Sequence, residues 1–186
     1  MARPTTRPTT SRPAKRLLPI GSPAPKFDLP ALSGAHVYFP EAYGGQLVLI
    51  QVWASWCSSC ARDFPYWITA QEKFGGMGLT LLGISIDDDR NIGMDKVLTT
   101  MQERGCTWDV VYKDAQNRSV LGRYLAPTLP TLYLIDGDTG RIIDAGNDLR
   151  RGRLLQTLEK HLRAKFPGQF PTSQPADPPT SQPTAR

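Results

Sequence analysis

The chain has 186 residues, 40% of them hydrophobic, which is enough for one domain with a sizeable core and too little for two. Its formal net charge of +5 resides in the first sixteen residues, where Arg3, Arg7, Arg12, Lys15 and Arg16 stand without an acid; residues 17–166 are balanced, and nothing in this distribution argues for a nucleic-acid enzyme. Three cysteines exclude a disulfide-rich secreted scaffold, and no apolar run reaches the roughly 18 residues of a membrane span.

Both ends are rich in Pro, Thr and Ser and poor in apolar residues, so residues 1–19 and 167–186 read as disordered tails around a domain over 20–166. The basic N-terminus has no apolar h-region behind it and does not read as a signal peptide, which at face value leaves the chain in the cytoplasm.

Within the domain, "VYF" reads as an edge strand and Leu47–Trp53 as a continuous apolar strand buried on both faces. A helix follows from Cys57 to Phe74, closed by Gly75-Gly76 and interrupted by Pro65. Leu79–Ile86 is a second buried strand, and Asn91–Arg104 has helical spacing up to Gly105. "WDVVY" reads as a short strand and Ala115–Tyr124 as a short helix. "TLYLID" and "GRIIDAG" flank the turn "GDTG" as a hairpin, and an amphipathic helix from Leu149 to Phe166 closes the domain. This order implies an α/β fold, a central mixed β-sheet flanked by helices.

The stretch "WASWCSSCARDFP" carries the chemistry. Structural zinc would need four ligands, and beyond Cys57 and Cys60 only the scattered Cys106, His36 and His161 remain. Two inert core cysteines are possible in principle, but the pair stands at a strand-to-helix junction rather than on an apolar face. A redox pair fits better. A C-x-x-C opening a helix sets the first sulfur beside free backbone N–H groups and the positive end of the dipole, which favours thiolate. The second sulfur, one turn on, is placed to attack a mixed disulfide and release the partner. Cys57 is thus the expected nucleophile and Cys60 the resolving thiol. Downstream, Pro130 directly precedes a buried strand, an unusual place for a residue without an N–H; a cis Leu129–Pro130 bond would account for it, with Pro127 an ordinary trans loop proline.

"LVLIQVWASWCSSC" followed by "LPTLYLID" resembles the thioredoxin superfamily, and more finely the TlpA/ResA-like thiol-disulfide oxidoreductases of the bacterial cell envelope. "GSPAPKFDLPALSGAHVYFPEAYGGQ" resembles their N-terminal extension, an extended segment and hairpin before the first core strand, and "CARDFP" their C-x-x-E-F-P continuation. The resemblance implies a thioredoxin fold and an enzyme that exchanges the Cys57–Cys60 dithiol and disulfide with protein substrates, with no cofactor beyond that pair. It implies protein thiols and disulfides as partners, an upstream dithiol donor or acceptor, and an envelope location. Trp56, Leu129 and Pro130 become substrate-binding residues, the Leu129 backbone pairing with an extended segment. Asp63 stands where the subgroup often has a glutamate and becomes a proton carrier for the resolving thiol, with a helix first-turn acid as the plain alternative.

Two departures stand out. Gln51 replaces the buried aspartate that thioredoxins carry six residues before the first cysteine, and glutamine takes no proton at neutral pH. Ser58 and Ser59 replace pairs that usually contain proline, and their hydroxyls can donate to a Cys57 thiolate. A soft-metal module binding Cu(I) through the two thiolates is the alternative function, disfavoured by the lack of a Met or His in the motif. Peroxide reduction is disfavoured by Ala54, where that chemistry wants Thr or Ser. Cys106 reads as a small buried residue, His36 and His161 as surface or packing residues, Asp87-Asp88-Asp89 as an exposed loop, and Arg150, Arg151 and Arg153 as a solvated face.

Overall fold

The computed structural model describes residues 16–87, 93–112 and 121–170. Most of both tails, Asp88 and Asp89, and most of the helix expected over 115–124 lie outside the described residues. Strands β1 (Phe27–Pro30) and β2 (His36–Phe39) form an antiparallel hairpin. A five-stranded sheet is built from β3 (Leu47–Trp53), β4 (Leu79–Ser85), β5 (Val110–Tyr112), β6 (Thr131–Asp136) and β7 (Arg141–Ala145), in the order β5-β4-β3-β6-β7. The β3–β4 and β4–β5 pairs are parallel, and β6 and β7 run antiparallel to their neighbours. Every residue of β3 is buried, as its unbroken apolar run demands of a central strand covered on both faces.

Three helices are described: α1 (Ser58–Phe74), α2 (Met94–Arg104) and α3 (Leu154–Lys165). Phe64, Trp67, Ala70 and Phe74 of α1, Val97 of α2 and Leu154, Leu158 and Leu162 of α3 join Leu47, Leu49 and Trp53 of β3 in one apolar cluster. These positions recur every three or four residues, the spacing that places them on one side of a helix. The opposite face of the sheet packs Val48, Ile50 and Val52 against Phe27, Val37 and Phe39 of the hairpin and against Leu121 and Tyr124.

The N-terminal segment spans the sheet from edge to edge. Pro23 bridges Arg141 of β7, and the Gly21 and Ala24 N–H groups donate to the carbonyls of Ile142 and Gly140 at 2.7 and 2.9 Å. Eight residues beyond Pro23, Ala31 bridges Val111 of β5, and the Leu32 N–H donates to Val110 O at 2.8 Å. One segment therefore occupies backbone groups on both edge strands, which would otherwise be free to pair with another chain.

The last helix begins later than its apolar spacing suggests. Residues 147–149 and 151–153 form 3-10 turns, and Arg151 takes a left-handed backbone at φ +48°, so regular helix starts only at Leu154. Arg151 is the only described residue other than glycine with a positive φ. The "GDTG" hairpin turn forms as expected, with Asp136 Oδ1 accepting the Asp138 and Thr139 N–H groups at 2.9 and 3.1 Å.

Candidate active site

The site lies where β3 ends and α1 begins. Cys57 is the N-cap of α1, with an extended backbone, and its Sγ accepts the Cys60 N–H at 3.1 Å. That N–H is one of the donors a helix start leaves without an intrahelical partner, so the cysteine replaces the usual Ser, Thr or Asp cap. Cys57 and Cys60 are joined as a disulfide, with Cα atoms 5.2 Å apart. The two residues differ in access: Cys57 is 7% exposed and Cys60 is 0% exposed.

The loop between strand and helix is held by a carboxylate absent from the sequence-based site. Asp87 is 1% exposed. It accepts the Ser55 N–H at 2.9 Å and the Ser55 and Ser85 hydroxyls at 2.7 Å each. The expectation of an exposed loop is corrected for Asp87. This residue follows the end of β4, beside the end of parallel β3, so it faces the loop that carries Ser55. A buried carboxylate requires such donors, and here they fix Ser55, the residue before Trp56.

Leu129–Pro130 is cis, as is Phe39–Pro40, while Pro127 is trans. Pro130 is buried just before β6, and Ser59 Oγ reaches from α1 to donate to Leu129 O at 2.7 Å. Ser59 Oγ also stands 3.3 Å from Cys57 Sγ. A groove of about 470 Å³ opens beside Cys57 between Trp56, Ile86, Ala126, Pro127 and Leu129, with no charged side chain among its described lining residues. Trp56 is 55% exposed on its rim, an unfavourable place for a large ring unless something covers it.

Asp63 is not in the first turn of α1, and the plain reading of it as a first-turn acid is corrected. It is fully buried, its Oδ2 accepting from Arg150 Nε at 2.7 Å and its Oδ1 from Arg151 Nε at 2.9 Å. The reading of Arg150 as a solvated face is corrected with it, while Arg151 stays half exposed and Arg153, paired with Asp148 at 2.9 Å, largely exposed. A buried carboxylate on one helix and two arginines at the entry to another are 87 and 88 residues apart, and no local pattern connects them.

The remaining candidates lie apart from the disulfide. Cys106 is half-buried, which corrects its reading as a buried residue; it donates weakly to Trp108 O, and that partial burial pushes its thiol up to about 12. His36 pairs with Asp28 across the hairpin, and His161 with Asp144 at 2.9 Å. Among the described residues no three His, Cys, Asp or Glu side chains are grouped to hold a metal ion. Gln51 is fully buried on the β3 face that carries Leu49 and Trp53, and neither amide atom has a hydrogen-bond partner among the described residues.

A family model described as the AhpC/TSA family matches residues 20–144. The chain belongs to the AhpC/TSA family. The chain is similar to the thiol-disulfide oxidoreductase ResA of Geobacillus kaustophilus, 30% identical over 131 residues, 69% of this chain and 71% of that protein. The thiol:disulfide interchange protein DsbE of Escherichia coli is 29% identical over 123 residues, 64% of this chain and 60% of that protein. The thioredoxin domain of a thiol-disulfide oxidoreductase from Bacteroides vulgatus superposes with a TM-score of 0.69 at 27% identity, covering 78% of this chain and 99% of that one. This AhpC/TSA member is a thiol-disulfide oxidoreductase of thioredoxin fold with Cys57–Cys60 as its disulfide. No helix among its described residues is long and apolar enough to cross a membrane.

Proposed function

We propose that the chain exchanges disulfides with protein substrates through a mixed disulfide on Cys57, the Cys57–Cys60 pair being its sole redox group. The observation that carries this reading is the unequal access of the two bonded cysteines, 7% against 0%, with the reachable one beside an uncharged groove. In the reducing direction the Cys57 thiolate attacks one sulfur of a substrate disulfide. A bond forms to that sulfur, and the other leaves with the electron pair and takes up a proton. Cys60 then gives up its proton and attacks Cys57 Sγ. The internal disulfide closes and the first substrate sulfur leaves as thiolate, so two electrons have passed from the dithiol to the substrate. The reverse sequence oxidises a substrate dithiol.

Trp56 and Leu129 line the groove, with Pro130 buried next to Leu129, and an extended substrate segment would lie there, pairing by backbone at Leu129. Asp63, three residues after Cys60, is the nearest candidate in sequence to carry the Cys60 proton. Both its oxygens are engaged by arginines, so that role requires one of the two bonds to open. Gln51, in the position of the thioredoxin aspartate, has no such capacity. A second dithiol protein would restore the pair, since the sequence contains no nucleotide-binding motif. The resemblance to TlpA/ResA-like proteins supports a location in the cell envelope.

The test is Cys60→Ser, which removes the release step. Covalent partners are expected on Cys57 by non-reducing electrophoresis and mass spectrometry. No adduct, together with a wild-type protein unable to reduce a model protein disulfide, would overturn the proposal.

A further inference from the structure

Ser59 touches both halves of the site. Its hydroxyl donates to the carbonyl of Leu129 at 2.7 Å while standing 3.3 Å from Cys57 Sγ, and the two partners are 72 positions apart in sequence. A serine hydroxyl has one proton to give. In the disulfide, Cys57 Sγ is neutral and already accepts the Cys60 N–H, so the carbonyl is the stronger acceptor. Reduction reverses that ranking, because a hydrogen bond to a charged acceptor is roughly twice as strong as one between neutral groups.

We propose that Ser59 is a two-position donor that couples redox state to substrate docking. In the oxidised protein it caps the Leu129 carbonyl. In the reduced protein it turns to the Cys57 thiolate and leaves that carbonyl free for a backbone N–H of the substrate. Once Cys57 Sγ is bonded again, first to the substrate sulfur and then to Cys60, it carries no charge, so the hydroxyl returns to Leu129 and competes with the bound segment, which favours release of product. The inference rests on the exchange function proposed above, and it adds a reason for a serine at the third position of the C-x-x-C motif.

The switch can be read without any partner. With dithiothreitol as reductant, two electrons enter the Cys57–Cys60 bond and it breaks. Cys57 remains as thiolate and Cys60 as thiol, one proton is released, and the reagent closes to its own cyclic disulfide. Three proteins are compared: wild type, Ser59→Ala, and Ser59→Thr, which keeps the hydroxyl. The ¹³C carbonyl resonance of Leu129 is followed in both redox states. It is expected to move on reduction in wild type and Ser59→Thr. In Ser59→Ala it is expected to sit near the reduced wild-type position in both states. The equilibrium with dithiothreitol should favour the disulfide by roughly fivefold to tenfold more in Ser59→Ala, from loss of a bond to a charged sulfur, and return in Ser59→Thr.

A Leu129 resonance indifferent to redox state in wild type would overturn the coupling. So would a Ser59→Ala protein that matches wild type in both measurements. Failure of the exchange function itself would appear separately, as a wild-type protein that switches at Leu129 on reduction yet does not reduce protein disulfides, with no partner trapped by Cys60→Ser.

Discussion

Asp63 and Arg150 form a buried contact, Oδ2 to Nε at 2.7 Å, that ties the helix carrying both cysteines to the turns entering α3. The carboxylate is fully buried, while Arg150 and Arg151 are 21% and 48% exposed. The arginines therefore retain part of their hydration, and the acid depends on them for compensation.

Removing the acid should destabilise the protein. Asp63→Ala is expected to cost about 3 kcal/mol in denaturant unfolding, because it strands two partly buried guanidinium groups. Arg151→Ala should cost only about 1 kcal/mol, since that partner is half exposed. Arg151→Gly should recover part of this loss, because glycine adopts φ +48° without the roughly 1 kcal/mol penalty of a side chain there. If Asp63 also carries the Cys60 proton, Asp63→Asn will slow the step in which Cys60 displaces the substrate sulfur, measured on folded protein. A purely structural acid would leave the rate of that step unchanged.

Gln51 has the opposite character. Its amide atoms are buried on the α1 side of β3 without partners among the described residues, and such unsatisfied groups cost about 1–3 kcal/mol. Gln51→Met, close in shape and volume, should raise the unfolding midpoint by the equivalent of about 1 kcal/mol or more. A midpoint lowered by this change would show that the amide is satisfied in solution.

Loss of Asp87 should be felt at the catalytic loop. Asp87→Ala leaves the Ser55 N–H and two hydroxyls without their acceptor, an expected cost of about 2 kcal/mol. Because Ser55 stands two residues before Cys57, exchange with a model disulfide should slow as well. Asp87→Asn retains an acceptor oxygen and should fall between the two. Equal loss in both variants would place the requirement on charge instead.

Alkaline pH should unfold the protein early. Burial raises the thiol of Cys106 from its ordinary value of about 9 to about 12, and raises the Tyr43 phenol, beside Asp109, from about 10 to about 12. Between the ordinary and the raised values the folded chain keeps protons that the unfolded chain has lost, so stability declines as pH climbs from about 9 towards 12. Thermal midpoints measured across that window should fall steadily. In the reduced native protein at pH 8, a thiol reagent should label Cys57 well ahead of Cys106. Rapid labelling of Cys106 at that pH would contradict its raised thiol.

The features legible in the sequence are those with short reach. The apolar run Leu47–Trp53, the i, i+3 cysteine pair and Pro130 ahead of "TLYLID" each depend on neighbours within one turn or one strand. Strand burial, helix capping and the absent proline N–H operate over that distance, so the redox pair and a mixed sheet flanked by helices followed from local chemistry. The family resemblance added the thioredoxin fold, the extended N-terminal segment and the roles of Trp56, Leu129 and Asp63.

Tertiary structure decided the rest, because the partners are distant in sequence. Ser55 meets Asp87 across 32 positions, Ser59 meets Leu129 across 70, and Asp63 meets Arg150 and Arg151 across 87 and 88. Whether a charged residue faces water or an opposite charge depends on which elements the sheet brings together, and hydrophobic spacing along one element carries no record of its neighbours. Composition and local pattern determined the chemistry available to this protein. Packing determined which hydroxyl, carboxylate and guanidinium groups surround it, since a desolvated polar group is stable only where the fold supplies its partner.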